Sequence, residues 1–149
     1  MHLTNAFIPH LVVNDGAAAC EYYKAALGAS VQSCVPMKGD KRVLHASLSV
    51  GEAVFFLNDD FPEFCGGKSR TPQALGGTAV TIHLCVPDCD AAMAKAAKAG
   101  ATITMPAMDA FWGDRYGKVV DPFGHEWSFS TPLSPERAAA AAEEAKKWM

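Results

Sequence analysis

At 149 residues, half of them hydrophobic and 19% charged, the chain is long enough to bury a core and too apolar to be a disordered segment. Its net charge of −3 comes with lysines and arginines scattered along the sequence, which argues against the concentrated basic surface that nucleic acid or an anionic membrane selects. No run approaches the ~18 apolar residues of a membrane span, and segment 1–13 has no basic stretch leading into a long apolar one, so a cytoplasmic location is expected.

In chain order, residues 7–13 alternate as a strand, with Phe7, Pro9, Leu11 and Val13 on one face and Ile8, His10 and Val12 on the other. Asp15 is suited to cap a helix over 16–27, which Gly28 ends, and Ala19, Tyr22, Tyr23 and Ala26 form its apolar stripe. Runs at 30–36, 42–50 and 53–58 read as an antiparallel meander, the last two joined by a short turn at Gly51-Glu52. Segment 59–77 carries Pro62, Gly66, Gly67, Pro72, Gly76 and Gly77 and reads as a long loop, a lid or partner contact.

The pattern then starts again. In "VTIHLCVPDCD" His83, Leu84, Val86 and Asp88 stand 73 residues after His10, Leu11, Val13 and Asp15, and Gly100 stands 72 after Gly28. A strand at 80–86 has Val80, Ile82, Leu84 and Val86 on its helix side and Thr81, His83 and Cys85 opposite. A helix follows at 89–99 between Asp88 and Gly100, with Ala92, Met93 and Ala96 on its stripe, then strands at 101–105, 115–121 and 125–131. In the last strand Trp127 and Phe129 point inward, and Glu126, Ser128 and Ser130 share the other side. Ser134, Pro135, a run of alanines and the Glu143/Lys147 pair specify a final helix over 134–148, with Trp148 and Met149 as anchors on the body or on a second subunit.

The expected fold is therefore α+β: one domain, 1–149, of two tandem βαβββ modules, 5–58 and 78–132, plus a C-terminal helix. The five cysteines are expected as free thiols, Cys65 exposed and the Cys85/Cys89 pair small buried or half-buried residues rather than metal ligands. His45 reads as a polar core histidine and His125, by parity with Trp127, as structural. "FWGDRYG" offers Trp112 as a wall for a planar ligand and Arg115 as a clamp for a carboxylate or phosphonate, oriented by Asp114; the alternative is an Asp-Arg pair stitching a loop to the sheet rim.

Paired modules with "WGDRYGKVVDPFGHEW" near the end, "AGA" after the second helix and His45-Ala46 in the third strand resemble the vicinal oxygen chelate superfamily, that of glyoxalases, bleomycin-resistance proteins and dioxygenases, and within it the PhnB-like branch. The resemblance covers residues 5–132. It implies two curved sheets forming a cup completed in a homodimer, with a metal held at equivalent points of the two modules. Carried over by motif, the ligand positions fall on Ile8, Thr81, Phe55 or Phe56, and Ser128, none an ordinary ligand for a divalent metal. His83 and Glu126 are expected four residues out of register, roughly 13 Å apart, which leaves a His10/His83 pair as the remaining route to a divalent metal such as zinc or nickel.

The expectation is a protein without a cofactor that sequesters a small apolar or aromatic molecule, walled by His10, Phe55, Phe56, Thr81, His83, Trp112, Arg115 and Ser128, with Phe61, Phe64 and Phe111 around the mouth. The alternative is a lyase, isomerase or dioxygenase-like enzyme using His10, His83 or Glu126 as base or displaced metal ligand.

Overall fold

A computed structural model describes residues 4–149; Met1–Leu3, which open the segment read as lacking a leader, lie outside the described residues. The chain divides into two compact units meeting at Gly77/Thr78, each with its own core.

In the first unit, β1 (His10–Val13), α1 (Gly16–Leu27), β2 (Ser30–Pro36), β3 (Val43–Val50) and β4 (Ala53–Asp59) follow in order. The sheet runs β1-β4-β3-β2, with β1 parallel to β4 and the other pairs antiparallel. Asp15 caps α1 by accepting from Ala18 N at 2.9 Å, and Gly28 closes it in the left-handed region. The buried stripe of α1 is the expected one with Gly16 and Cys20 added, and α1 packs on β3 and β4, where Ala46, Leu48, Phe55 and Leu57 are buried. The start of α1 is held from below. Asp59, 4% exposed, accepts from Gly16 N at 3.0 Å and Val43 N at 2.7 Å, so one buried carboxylate ties helix, β3 and β4 together.

Segment 59–77 differs from a plain loop. It holds a 3-10 turn at Pro62–Phe64 and a short helix, α2 (Pro72–Leu75), capped by Thr71. Arg70 N donates to Asp60 Oδ1 at 3.0 Å, Arg42 pairs with Glu63 at 2.7 Å, and the Arg42 guanidinium lies over the Phe61 ring. Its prolines start helical turns rather than merely breaking structure.

The second unit repeats the plan with β5 (Thr81–Cys85), α3 (Cys89–Ala99), β6 (Thr102–Asp109), β7 (Asp114–Val120) and β8 (Glu126–Pro132) in the order β5-β8-β7-β6. Asp88 caps α3 through Ala91 N at 3.0 Å. Met93 of α3 packs where Gly117 leaves room. β6 runs four residues past its expected end at 105, through Pro106, because it is the edge strand and register shifts on both sides of Met105 absorb the missing donor. The Asp-Pro-Phe-Gly turn is organised by Asp121, 4% exposed: it accepts from Phe123 N at 2.8 Å, His125 N at 3.0 Å and Trp127 Nε1 at 2.9 Å. The final helix, α4 (Pro135–Ala145), is shorter than its sequence signal and lies along β6 with Ala145 buried. No described helix is long and apolar enough to cross a membrane.

Candidate functional site

Each sheet has one face against its helix and one face free of it, and the side chains with chemistry collect on the second. In the first unit His10 is level with Phe56, and the His10, His45 and Phe56 rings cluster with centroids 4.7–5.7 Å apart. His45 is thus not a core residue. It alternates with fully buried Ala46 and stands, half-buried, on the face of Ser47 and Ser49. Phe55 points the other way, 4% exposed with its ring 5.2 Å from Tyr23; of the two phenylalanines, Phe56 is the one on the open face. A groove of about 780 Å³ lies there, lined by Gln32, Ser47, Ser49, Glu52, Val54 and Phe56.

In the second unit the equivalent face is more polar at its centre. His83 is level with Ser128, and its ring is held from both sides, Nδ1 2.7 Å from Ser128 Oγ and Nε2 3.0 Å from Ser130 Oγ. Whichever tautomer is present, one serine donates and the other accepts. Thr81 is level with Glu126, donates its hydroxyl to Glu126 Oε1, and Lys118 Nζ donates to the same oxygen at 3.0 Å. Both bonds favour the carboxylate, first Thr81 and then Lys118, so Glu126 titrates below the usual glutamate range and Lys118 above its own. This register corrects the expected four-residue gap: His83 and Glu126 are two residues apart along the parallel pair, about 7 Å. The motif carry-over treated Thr81 and Ser128 as level, whereas Ser128 sits beside His83.

From His83 a row of rings leads outward. His83 stacks on Tyr116 at 5.9 Å, Tyr116 meets Trp112 edge-on at 5.1 Å, Trp112 meets Phe111 at 5.1 Å, and Phe111 meets Trp148 at 5.7 Å. Beside this row lies a groove of about 530 Å³. Met105, Met108, Phe111, Trp112 and Tyr116 form one wall; Ala141, Ala145 and Trp148 of α4 form the other; Lys118, Asp109 and Glu144 supply the polar positions. Tyr116, Lys118 and the two methionines were not singled out from the sequence. Alternation in β7 carried the signal, since Asp114, Tyr116 and Lys118 share one parity.

The same alternation accounts for Arg115. It shares parity with Gly117 and Val119, which face α3, and its guanidinium is taken up by Asp90 of α3 in a bidentate pair (both 3.0 Å) and by Asp109 at 3.1 Å. Asp109 also holds Arg137 of α4, at 2.6 Å. Asp114 accepts from Trp112 Nε1 at 3.1 Å instead of orienting Arg115. Arg115 is therefore a cross-brace between α3, β6 and β7 rather than a ligand clamp. Of the cysteines, Cys65 is exposed as expected; Cys85 is exposed rather than buried, 3.7 Å from Ser130 Oγ, and buried Cys89 donates to Phe129 O.

The metal set that the fold family implies does not fit these residues. Ile8 and Phe56 bring no donor atom, Thr81 is engaged with Glu126, and Ser128 with His83. Among the described residues no three His, Cys, Asp or Glu side chains converge in a way that would hold an ion.

Two sheets of order 1-4-3-2, each with a parallel first strand and one crossover helix, define the βαβββ pair, and comparison with known proteins gives it a family. The model of the Glyoxalase/Bleomycin resistance protein/Dioxygenase superfamily matches residues 2–129, and the chain belongs to that superfamily. It is 50% identical over 128 residues to an uncharacterised protein of Mycobacterium tuberculosis, covering 86% of this chain and 75% of the relative. Among solved structures, the At5g48480 gene product of Arabidopsis thaliana is 30% identical, with a TM-score of 0.67 over 87% of this chain and all of that one. TioX from Micromonospora sp. ML1 is 26% identical, with a TM-score of 0.65 over 87% of this chain and 100% of its own.

Proposed function

We propose that this chain is a PhnB-like member of the superfamily, a cytoplasmic homodimer that binds a small aromatic molecule without the family's metal. The observation that carries the reading is the groove between β6, β7 and α4. Its long walls are aromatic rings, methionines and alanines, with Asp109, Lys118 and Glu144 as its few polar positions, the composition of a site for a flat, largely apolar body. Met105 and Met108 add surface that adapts to ligand shape. The experiment is titration with anilinonaphthalene sulfonate, followed by dye emission and by quenching of Trp112 and Trp148. Tyr116→Ala and Trp148→Ala should each weaken binding about tenfold, the loss of one stacked ring at ~1–1.5 kcal/mol, while His10→Ala leaves it unchanged. Equal affinity in all four proteins would sink the reading.

A second reading rests on His83. Two hydroxyls fix the direction of its ring on an exposed face, and it would act as a general base by exchanging one of these serine hydrogen bonds for one to the substrate. In that case His83→Ala abolishes turnover of a bound carbonyl compound by ~10²-fold or more with little change in dye affinity; the sequestering reading predicts no turnover to lose.

A further inference from the structure

Two cysteines of the first unit meet across the helix-sheet interface. Cys20 lies on the buried stripe of α1, 6% exposed. Cys34 lies on edge strand β2, exposed, and is paired with Ala46, which is fully buried under α1. Directly paired residues of an antiparallel ladder project to the same face, so the Cys34 side chain points to the α1 side, where it is the neighbour that, after burial, most perturbs the Cys20 thiol. One thiol is open to solvent and the other is sheltered on the same side of the sheet.

We infer that Cys20 and Cys34 form an oxidation site in which Cys34 reacts with a hydroperoxide and Cys20 resolves the product as an intramolecular disulfide. In the first step the Cys34 thiolate attacks the distal peroxide oxygen; the O–O bond breaks, Cys34 becomes a sulfenic acid and the alkoxide or hydroxide leaves. In the second, the Cys20 sulfur attacks the sulfenic sulfur, the S–O bond breaks, and the thiol proton leaves with the oxygen as water. Two thiols lose two electrons in total, and the peroxide takes them.

The division of roles follows from the surroundings. Burial, and then the neighbouring Cys34, push the Cys20 thiol up to about 11, so it does not meet the oxidant first. It needs only to reach a sulfenic acid already beside it. β2 is able to make the approach, since it is an edge strand with register shifts between Val31 and Ser33 and between Val35 and Pro36. The bond would staple β2 to α1 two residues from Gln32, which donates to Ser49 Oγ on the groove of the first unit.

The sequence makes the test direct. Trypsin cuts after Lys24 and Lys38, so Cys20 falls alone in peptide 1–24 and Cys34 alone in 25–38. The reduced whole chain is treated with stoichiometric hydrogen peroxide, alkylated, digested and analysed by mass spectrometry beside Cys20→Ala and Cys34→Ser. The expected result is a 1–24/25–38 cross-linked pair in the wild type that dithiothreitol removes, a dimedone-reactive Cys34 in Cys20→Ala, and no oxidation of Cys20 in Cys34→Ser. Circular dichroism of both variants establishes that they are folded. Cross-links confined to other cysteines, chain-to-chain dimers through Cys34 with Cys20 still alkylated, or a Cys34 that stays reduced while Cys65 and Cys85 oxidise would each overturn the inference.

Discussion

Replacing Asp121 by Asn tests whether the Asp-Pro-Phe-Gly turn is held as described. The carboxylate accepts from two backbone amides on Oδ1 and from the Trp127 indole on Oδ2. An asparagine placed to keep its carbonyl oxygen on the two amides must turn its NH₂ toward the Trp127 N–H, donor against donor; flipped, it loses both amides. Trp127 is 3% exposed, so its N–H cannot turn to water. A hydrogen bond to a charged acceptor is lost and a buried donor is stranded, a cost of about 2–4 kcal/mol. For a chain of this size that lowers the melting midpoint by roughly 6–12 °C, taking ~3 °C per kcal/mol. Calorimetry gives the midpoint. Tryptophan emission assigns it, because Trp127 is buried whereas Trp112 and Trp148 are 51% and 67% exposed. In a Trp127→Phe background the same substitution should cost about half as much, since the stranded donor is gone. A midpoint within about 2 °C of wild type would show that the indole contact contributes nothing to stability.

Gly16→Ala and Gly117→Ala separate a rigid obstacle from a yielding one. A Cβ at Gly16 would stand 2.5 Å from Asp59 Oδ2 and 2.8 Å from Val43 Cβ, whereas at Gly117 it would meet the end of Met93, with Cε at 2.8 Å. Urea denaturation should show a loss of about 3 kcal/mol or more for the first and about 1 for the second; the reverse order would contradict the packing described. The carboxyls of Asp90 and Asp109 lie below the ordinary aspartate value of 3.8, held there chiefly by Arg115 and Arg137 respectively. With folded values below unfolded ones, their stabilisation is present above pH 3.8 and is lost as pH falls further. Acrylamide quenching of Trp148 should therefore rise in acid below that point, and Asp109→Asn should show the raised quenching already at neutral pH; unchanged quenching in the variant would dissociate α4 docking from this ion pair. Zinc or nickel added to metal-free protein should leave its melting midpoint unmoved, and a rise that disappears in His10→Ala/His83→Ala would reveal a site built on the histidines.

The architecture was legible because it is written twice and punctuated. Asp15/Asp88 and Gly28/Gly100 bound both helices, and the alternation of Leu11 with Val13 and of Trp127 with Phe129 set the buried faces. Less of the candidate site was legible. Register between non-adjacent strands is not a local property, so nothing in β5 or β8 alone announces that Thr81 is level with Glu126 and His83 with Ser128. For Arg115 the sequence leaves a ligand clamp and a structural Asp-Arg pair both open; parity with Gly117 puts it on the α3 side, where its partners are Asp90 and Asp109 and not the adjacent Asp114. His45 was misplaced for want of the same check against Ala46. The groove itself needed α4 to fold back along β6, a tertiary contact for which Ala141 and Ala145, two alanines in a run of many, give no distinguishing mark.

The two modules place chemically unlike residues at matching backbone stations. Phe56 stands where Ser128 does, beside His10 and His83 respectively, and His45 stands where Tyr116 does. The molecule thus contains its own control. Transplanting a side chain from one station to its twin changes the chemistry of a face while leaving the backbone frame as it already exists elsewhere in the same chain. His10 in a serine setting, made by Phe56→Ser with Asn58→Ser, asks what the histidine does without the ring beside it, and His83 against Ser128→Phe asks the converse. Duplication supplied the experiment's two arms before any mutagenesis began.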